Sequence, residues 1–465
     1  MASRLRDAGE TDAAMRRLSA LLGDRLSLND SVRGTHGRGE AFHPDMLPDA
    51  VAFPANTGEV VEIVRICAAH GIPVVPFGAG TSLEGNVAAV HGGLSLDFTG
   101  MNRVVAVHPA DLDCVVEPGV TREQLNDELR DQGLFFPIDP GANATIGGMC
   151  ATRASGTNAV RYGTMRDNVL WLEVVLADGR VVRTGRRARK SAAGYDLTRL
   201  FIGSEGTLGV ITAIGLRLHG RPEASAVATC GFDRLEGAVE TVVQTMQIGV
   251  PVARMELLDT LQVVAVNRYS HTSLPERPTL MFEFHGSEAG VREQSATVQE
   301  LALANGGTGF EWATVTEERN ALWKARHDAY FAAQSLRPGS KLVVTDVCVP
   351  ISTLPACIAA THEDISRTGL VAPIVGHVGD GNFHVMISVD PNDADEIAAV
   401  RAFNDRLVDR ALALDGTCTG EHGIGLGKQG KLIAEFGEDG VDLMRSIKRA
   451  VDPHGLFNPG KIFQL

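Results

Sequence analysis

The chain of 465 residues is too long for one hydrophobic core, so its length predicts two or three domains. Its formal net charge of −14 at pH 7 argues against a surface that binds nucleic acid or an anionic membrane. Hydrophobic residues make up 44%, as in soluble globular proteins. The seven cysteines lack C-x-x-C spacing, which indicates a reducing compartment without a disulfide framework or a zinc ribbon.

The N-terminal stretch does not have the pattern of a targeting segment. Met1–Leu22 mixes arginine with aspartate and glutamate and has no apolar centre, unlike a secretory signal. No run of apolar residues approaches the roughly 20 that a membrane-spanning helix needs. We therefore expect a cytoplasmic protein, at most peripheral on the inner face of a membrane.

The first predicted elements lead into a glycine-rich loop. Asn56 is a predicted cap for a helix that Gly71 ends, and Ile72–Pro76 is a predicted strand. The strand runs into Phe77–Gly85, where bare backbone N–H groups and hydroxyls suit a pyrophosphate. The loop departs from the Rossmann fingerprint because Leu83 stands where the third glycine is needed. A turn that binds no ligand is the alternative interpretation.

Two further stretches rich in glycine and small residues follow. The first runs over Pro140–Gly163, and the second is Gly203–Thr212. Between them, the pair Asp178-Gly179 predicts a hairpin. Because so many small and hydroxyl residues would pack poorly in a core, we interpret these stretches as chain wrapped along an extended, polar cofactor.

The character of the sequence changes near Arg221, after which predicted strands alternate with predicted helices. The strands are Ala226–Phe232 and Thr279–Phe284, and the helices are Leu235–Met246 and Gly290–Ala304. This alternation predicts an α+β domain with an antiparallel sheet. A further helix over Glu317–Ser335 would carry Arg326 and Tyr330 on one face, since they lie one turn apart.

Two histidines flank a predicted hairpin turn. Asp380-Gly381 lies between two β-branched runs and favours a two-residue type I′ turn. In that register His377 faces His384, with Cβ atoms roughly 5 Å apart. Two imidazoles held in this way could share a metal ion. The alternative is that both are ordinary surface or interface residues.

A second polar motif lies at Gly420–Gly425. Its glycines allow the backbone to approach another group closely. Glu421 could complete a His-His-Glu site with an open position, the arrangement of catalytic rather than structural metal sites. His422 could then act as a base. That Glu421 meets the histidine hairpin is a hypothesis.

Several of these segments resemble the FAD-linked oxidase family, which has the vanillyl-alcohol-oxidase, or PCMH-type, flavin fold. They are the loop Pro76–Gly85, the stretches Gly141–Gly163 and Gly203–Thr212, and the tail Phe457–Lys461. The resemblance runs from about residue 45 to the end, with the motifs in the family's order. Within the family the chain is similar to the flavin-linked, NAD-independent D-lactate dehydrogenases (cytochrome). The motifs that carry this similarity are Ala325–Tyr330, Thr345–Ser352, Gly376–His384 and Gly420–Gly425.

The resemblance implies an α+β fold with a two-part, PCMH-type FAD-binding domain and an α+β substrate (cap) domain built on an antiparallel sheet. We expect the FAD-binding domain over 1–222, with its core over about 46–222. The cap domain, with the metal site, would cover 223–450, and 451–465 would return to the FAD-binding domain.

The resemblance also implies which residues contact the cofactor. Some relatives attach the flavin through a histidine in the first glycine-rich loop; Phe77–Gly85 contains none, so we expect FAD to be non-covalent. The implied FAD-binding residues are Pro76, Gly78, Ala79, Gly80, Thr81, Ser82, Gly85, Pro140, Gly141, Ala142, Thr145, Gly147, Gly148, Ser155, Gly156, Tyr162, Gly206, Ile211 and Asn458.

In the same way, the matching positions imply the catalytic groups. His377, His384 and Glu421 match the family's ligands for a divalent metal, zinc or manganese. His422 matches its proposed base, and Arg326 would bind the substrate carboxylate.

The implied reaction is metal-assisted, NAD-independent oxidation of a D-2-hydroxy acid, with D-lactate favoured, to the 2-oxo acid. Electrons would pass to a cytochrome, a quinone or an electron-transfer flavoprotein. Alternatives are the FAD subunit of a glycolate oxidase and a D-2-hydroxyglutarate dehydrogenase. The latter place a lysine where this chain has Thr345, which favours a monocarboxylate here. A non-enzymatic carbohydrate- or phosphate-binding protein is the third hypothesis. We expect no nucleic-acid partner; the oligomeric state stays open, with a homodimer as one option.

Overall fold

The structure is a computed structural model that describes residues 8–39, 42–313 and 316–465. The chain forms two compact units. The first unit takes residues 8–155, 164–221 and 421–465, and the second takes 156–163 and 222–420. The predicted domain boundaries after residues 222 and 450 stay predictions.

Helices and strands mix along the whole described chain. The helices are α1 Ala8–Leu22, α2 Asp30–Gly37, α3 Thr57–His70, α4 Arg122–Leu129, α5 Ile146–Thr152, α6 Ala159–Tyr162, α7 Met165–Asn168, α8 Leu197–Phe201, α9 Leu235–Gln247, α10 Thr260–Ser270, α11 Glu288–Ala304, α12 Thr316–His327, α13 Ala329–Ser335, α14 Leu354–Thr368, α15 Ala394–Ala413 and α16 Gln429–Val451. No helix in the described part of the chain has the length and apolar composition to cross a bilayer.

The strands belong mostly to antiparallel pairs, and the predicted α+β class is confirmed. They are β1 Leu26–Ser27, β2 Ala50–Ala52, β3 Val74–Phe77, β4 Leu94–Asp97, β5 Val104–His108, β6 Asp113–Val116, β7 Leu134–Phe135, β8 Val169–Val175, β9 Val181–Arg183, β10 Val210–Arg217, β11 His219–Gly220, β12 Ala224–Phe232, β13 Val252–Leu258, β14 Thr279–Gly286, β15 Gly307–Ala313, β16 Lys341–Val344, β17 Val347–Cys348, β18 Ile374–Gly376 and β19 Asn382–Val389.

The first unit is built on two larger sheets. One has the order β1-β2-β4-β3, in which β4 runs parallel to both β2 and β3; the other has the order β5-β6-β10-β8-β9 and is antiparallel. Helix α3 packs its apolar face on the first sheet through Val60, Ile63 and Val64, all fully buried. As predicted, Asn56 caps this helix, because its side chain accepts the backbone N–H of Glu59.

The second unit is built on a single large sheet with the order β15-β12-β14-β13-β18-β19-β16. Strand β17 pairs with β19 outside this path. Every residue of β19 is buried, and β14 contributes the fully buried Phe282 and Phe284. Apolar residues of α10, α12 and α13 pack with strand residues in one core cluster. The histidines of interest lie at the end of this sheet where β18 turns into β19.

The turn between β18 and β19 differs from the predicted hairpin. Val375 pairs with His384, so the loop is longer than two residues and the predicted register, with His377 facing His384, is wrong. The reason is a short 3₁₀ turn over Val378–Asp380, which inserts extra residues before β19 begins.

The single helix predicted over Glu317–Ser335 is also wrong in detail. The chain breaks at Asp328, whose ψ of 3° departs from the helical value of about −42°. Arg326 therefore lies near the end of α12, whereas Tyr330 lies in α13.

Candidate active site

The first glycine-rich loop leaves the carboxyl end of β3, beside the parallel strand β4. Crevices at the carboxyl ends of parallel strands are where α/β sheets bind their ligands. A Cβ added to Gly78 would overlap Oγ1 of Thr145, so a glycine is required where this loop meets the second small-residue stretch. The structure thus brings together two of the segments predicted to hold FAD.

The third segment and the C-terminal tail join the same region of the first unit. Nδ2 of Asn458 donates to the backbone oxygens of Glu205 and Asn86, at 2.7 and 3.0 Å. The side chain of Glu205 in turn accepts from Nδ2 of Asn86 at 2.6 Å. Asn458, one of the predicted FAD-binding residues, therefore connects the loop after Gly85 to the turn at Glu205.

The loop also fits a polar ligand by its chemistry. The hydroxyl of Ser82 is buried and has no hydrogen-bond partner among the described residues, which is costly unless a bound group supplies one. Of the predicted FAD-binding residues, Gly156 and Tyr162 belong to the second unit. The others lie in the first unit: Pro76, Gly78, Ala79, Gly80, Thr81, Ser82, Gly85, Pro140, Gly141, Ala142, Thr145, Gly147, Gly148, Ser155, Gly206, Ile211 and Asn458.

The carboxylate of Glu205 was missed from sequence. It accepts the backbone N–H groups of Ile424 at 2.7 Å and Gly425 at 2.8 Å, and so fixes the segment that begins with Glu421 and His422 within the first unit. Burial raises the pKa of Glu205, while these two N–H groups oppose that rise. A glutamate inside a glycine-rich turn is the signal that could have predicted it.

In the second unit, His377 and His384 lie side by side although they are not paired across the hairpin. Their ring centroids are 5.5 Å apart at an interplanar angle of 83°, and their potential ligand atoms lie within 4.8 Å of each other. The short connection through the 3₁₀ turn over Val378–Asp380 keeps the two rings close without a direct cross-strand pairing.

Each ring has an acceptor at Nδ1. Nδ1 of His377 is 2.8 Å from Oε1 of Glu256, and Nδ1 of His384 is 3.0 Å from the backbone oxygen of Thr345. Because a carboxylate and a carbonyl oxygen only accept hydrogen bonds, both histidines carry their proton on Nδ1. Both lone pairs are then on Nε2, in the tautomer that metal-binding histidines adopt beside such acceptors.

Glu256 also contacts the predicted substrate-binding arginine. Its Oε2 accepts Nε of Arg326 at 2.8 Å and lies 2.6 Å from Nη2. Burial would raise the pKa of Glu256, but His377 and Arg326 lower it below its ordinary value. Glu256 is fully buried in β13, and a lone acid inside the apolar run Met255–Leu258 was the signal that sequence reasoning overlooked.

Thr419 and Gly420, which precede Glu421, pack against the hairpin formed by β18 and β19. Asn382 donates to Oδ1 of Asp346 at 2.8 Å, and Thr419 donates to Oδ2 of Asp346 at 2.7 Å. A Cβ on Gly420 would overlap Nδ2 of Asn382, so the backbone comes as close as a glycine permits. Glu421 follows directly in the chain and opens the last segment of the first unit.

Tyr162 has a buried partner in the second unit. Its hydroxyl is 2.8 Å from Nδ1 of His285, whose Nε2 is 2.8 Å from Oε1 of Glu283. Arg254 forms an ion pair with the same carboxylate at 3.0 Å. Burial raises the pKa of Tyr162, which keeps the phenol neutral.

Two protein-family models match most of the chain. Residues 48–185 match the family model described as FAD binding domain, and residues 221–462 match FAD linked oxidases, C-terminal domain. These matches define an FAD-linked oxidoreductase, as predicted. The chain belongs to the FAD-linked oxidase family.

Full-length relatives and a solved structure agree with this assignment. The chain is 53% identical to "Probable D-lactate dehydrogenase, mitochondrial" of Danio rerio, over 95% of this chain and 89% of that protein. It is 46% identical to "D-lactate dehydrogenase [cytochrome], mitochondrial" of Arabidopsis thaliana, over 96% and 79%. The structure of p-cresol methylhydroxylase with substrate bound superposes with a TM-score of 0.80 at 20% identity, over 98% of each chain, and confirms the predicted PCMH-type fold.

Proposed function

We propose that this protein oxidises a D-2-hydroxy acid, with D-lactate as the preferred substrate, to the 2-oxo acid. The observation that supports the proposal is the buried contact of Glu256 with both Arg326, the proposed carboxylate-binding residue, and His377, a proposed metal ligand. The names of the relatives from Danio rerio and Arabidopsis thaliana support the choice of D-lactate.

His377, His384 and Glu421 would hold a divalent metal, zinc or manganese. The support is the proton placement on both rings and the position of Glu421 directly after Gly420, which packs on the hairpin. When bound, such a metal lowers the pKa of a coordinated hydroxyl. The two histidines and the glutamate would be its protein ligands, and three protein ligands are typical of catalytic rather than structural metal sites.

FAD would bind non-covalently along the first unit's glycine-rich segments, with the Ser82 hydroxyl as one of its donors. Bound FAD would supply the acceptor for a hydride from the substrate carbon. The absence of a histidine from Phe77–Gly85 supports a dissociable cofactor. The remaining polar groups of the cradle, Thr145 among them, orient it.

Two side chains would handle the substrate itself. Arg326 binds the carboxylate, because a guanidinium offers the paired donors that a carboxylate matches. His422 takes the hydroxyl proton, since an imidazole is the side chain that most often acts as a general base.

The residue at position 345 favours a substrate with a single carboxylate. The hydroxyl of Thr345 accepts the backbone N–H of Val385 at 2.9 Å, and the residue is 1% exposed. Its side chain therefore stabilises the sheet. No cation stands at this position to bind a second carboxylate. We therefore propose a monocarboxylate such as D-lactate in preference to D-2-hydroxyglutarate.

We also propose that the reduced enzyme passes its electrons to a cytochrome, a quinone or an electron-transfer flavoprotein, in the cytoplasm or at the inner face of a membrane. The relatives named above carry the word mitochondrial in their own names, so the mitochondrion is a further candidate for the compartment. Fractionation of the source cells, with the activity assayed in each fraction, would decide the compartment.

One substrate screen tests the proposal. The purified chain is examined for flavin absorbance and assayed with an artificial acceptor dye on D-lactate, L-lactate, glycolate and D-2-hydroxyglutarate. We expect a yellow protein whose kcat/KM is highest for D-lactate. A colourless protein that binds no added FAD would overturn the flavin assignment, and higher kcat/KM for glycolate or for the L-enantiomer would overturn the substrate.

A further inference from the structure

We infer that Glu256 is a positioning residue that sets both the proton on His377 and the direction of the Arg326 guanidinium. The inference rests on the proposed function, in which His377 binds metal and Arg326 binds the substrate carboxylate. It assigns one buried carboxylate to the control of both groups.

The sheet of the second unit explains why Glu256 reaches His377. Strand β13 pairs with β18 so that Leu257 faces Gly376. Continued by one residue, this antiparallel register puts Glu256 directly opposite His377. With no solvent exposure, the Glu256 side chain has no competing water and is held between its two partners.

The two carboxylate oxygens of Glu256 contact different partners. Oε1 faces Nδ1 of His377, and Oε2 faces both Nε and Nη2 of Arg326. Both partners are donors, so an ionised carboxylate satisfies them together. Its charge also compensates the guanidinium, which at 8% exposure would otherwise be a buried, unpaired cation.

The contact with His377 fixes which ring nitrogen can bind a metal. With its proton on Nδ1, the ring presents its lone pair at Nε2. Acceptors behind metal-binding histidines raise ligand basicity and lock ring orientation, and their loss typically weakens metal binding about 10- to 100-fold.

The contact with Arg326 fixes which edge of the guanidinium a substrate can use. Glu256 occupies the edge formed by Nε and Nη2. A substrate carboxylate would therefore meet the outer edge, formed by Nη1 and the second proton of Nη2. Glu256 thereby sets the distance between the carboxylate-binding edge and the metal-binding nitrogen of His377.

The substitution Glu256→Gln separates this role from simple space-filling. Glutamine has the same shape but a single acceptor oxygen. Its amide N–H₂ must therefore face one of two donors, either Nδ1–H of His377 or the guanidinium of Arg326. If it faces His377, the ring responds by moving its proton to Nε2, which removes the lone pair that binds metal.

The matched control is Glu283→Gln. Glu283 lies on the adjacent strand β14 and makes the same kind of contact, with His285 at 2.8 Å and Arg254 at 3.0 Å, but His285 is not a proposed metal ligand. Both substitutions remove a buried negative charge between a histidine and an arginine, so a general effect of charge loss would appear in both variants.

The measurements are bound metal per FAD after loading with Zn²⁺ or Mn²⁺ and dialysis, flavin content, and KM and kcat for D-lactate. We expect Glu256→Gln to bind metal about 10- to 100-fold more weakly with unchanged flavin content, and to raise KM, whereas Glu283→Gln keeps wild-type metal affinity. Wild-type metal affinity and KM in Glu256→Gln would overturn the inference and leave the proposed function standing. A wild-type protein that binds no metal would overturn both.

A measurement on the wild-type protein covers the case in which Glu256→Gln does not fold. Histidine ¹⁵N spectra of the metal-depleted protein, with the His377 signal assigned from His377→Gln, report which nitrogen carries the proton. We expect the Nδ1–H form. The Nε2–H form at His377 would overturn the inference.

Discussion

Glu205 holds the backbone at Gly425: its Oε2 accepts the Gly425 N–H at 2.8 Å while Oε1 accepts the preceding N–H at 2.7 Å. This contact spans 220 residues of sequence. It ties a turn in the proposed flavin cradle to the segment that carries Glu421 and His422. Substrate oxidation would need both parts in place at once.

We predict that Glu205→Gln weakens this connection. Glutamine offers one acceptor oxygen for two backbone N–H groups and leaves one of them unsatisfied, which costs about 1–3 kcal/mol when buried. Denaturant titration should show a loss of that size in the free energy of unfolding. The control is Glu438→Gln, because Glu438 is exposed. A free energy of unfolding for Glu205→Gln within about 0.5 kcal/mol of the wild-type value would contradict the prediction.

We predict that His422→Ala keeps FAD but loses catalysis. A general base usually contributes about 10²- to 10⁴-fold, so kcat for D-lactate should fall by that factor while flavin absorbance per chain stays constant. His454 is exposed, and His454→Ala should retain wild-type kcat. Turnover of His422→Ala within about tenfold of wild type would rule out His422 as the base.

Chelation provides a separate test of the metal. Dialysis against a chelator should abolish turnover while leaving the flavin bound, because His377, His384 and Glu421 are not among the proposed FAD ligands. Adding Zn²⁺ or Mn²⁺ should restore activity. Unchanged turnover in a preparation shown by elemental analysis to be metal-free would remove the metal from the mechanism.

Asp259 predicts a pH dependence of stability. Burial raises the pKa of Asp259 to about 7, whereas an unfolded aspartate titrates near 3.8. Between these values the native state keeps a proton that the unfolded state releases, so the free energy of unfolding falls as pH rises from about 4 to 7. The loss has a ceiling of about 4 kcal/mol.

Asp259→Asn tests this effect without losing the helix cap. Asparagine also caps helices well, and the cap here accepts the Gln262 N–H at 2.7 Å. The variant should unfold at higher denaturant than wild type at pH 8, and the difference should shrink at pH 4. Asp393→Asn, at the exposed cap of α15, is the control. A pH-independent difference between Asp259→Asn and wild type would contradict the assignment.

The histidine pair shows which part of the site a sequence can predict. The residue types and the turn at Asp380-Gly381 were sufficient to place His377 near His384. The predicted strand register was wrong, since Val375 pairs with His384, because a 3₁₀ turn and a two-residue turn leave similar signals around an Asp-Gly pair. Proximity followed from the short connection, whatever its exact form.

Glu256 shows which part a single sequence conceals. It lies 121 residues from His377 and 70 from Arg326, and its contacts arise from the pairing of β13 with β18. Strand pairing at such separations depends on the whole sheet, so local sequence patterns do not predict which strands pair. The glycine-rich FAD segments were easier to predict, because their composition marks each one independently.

The tail also determines when the flavin site can form during protein synthesis. Asn458 donates to the backbone of Asn86 across 372 residues, and Phe457 forms a β-bridge with Val74. A ribosome must therefore translate the second unit and the tail before the edge strand of the N-terminal sheet gains this neighbour. The nascent chain gains these contacts late, so the proposed FAD cradle would be complete only once residues beyond 458 have emerged.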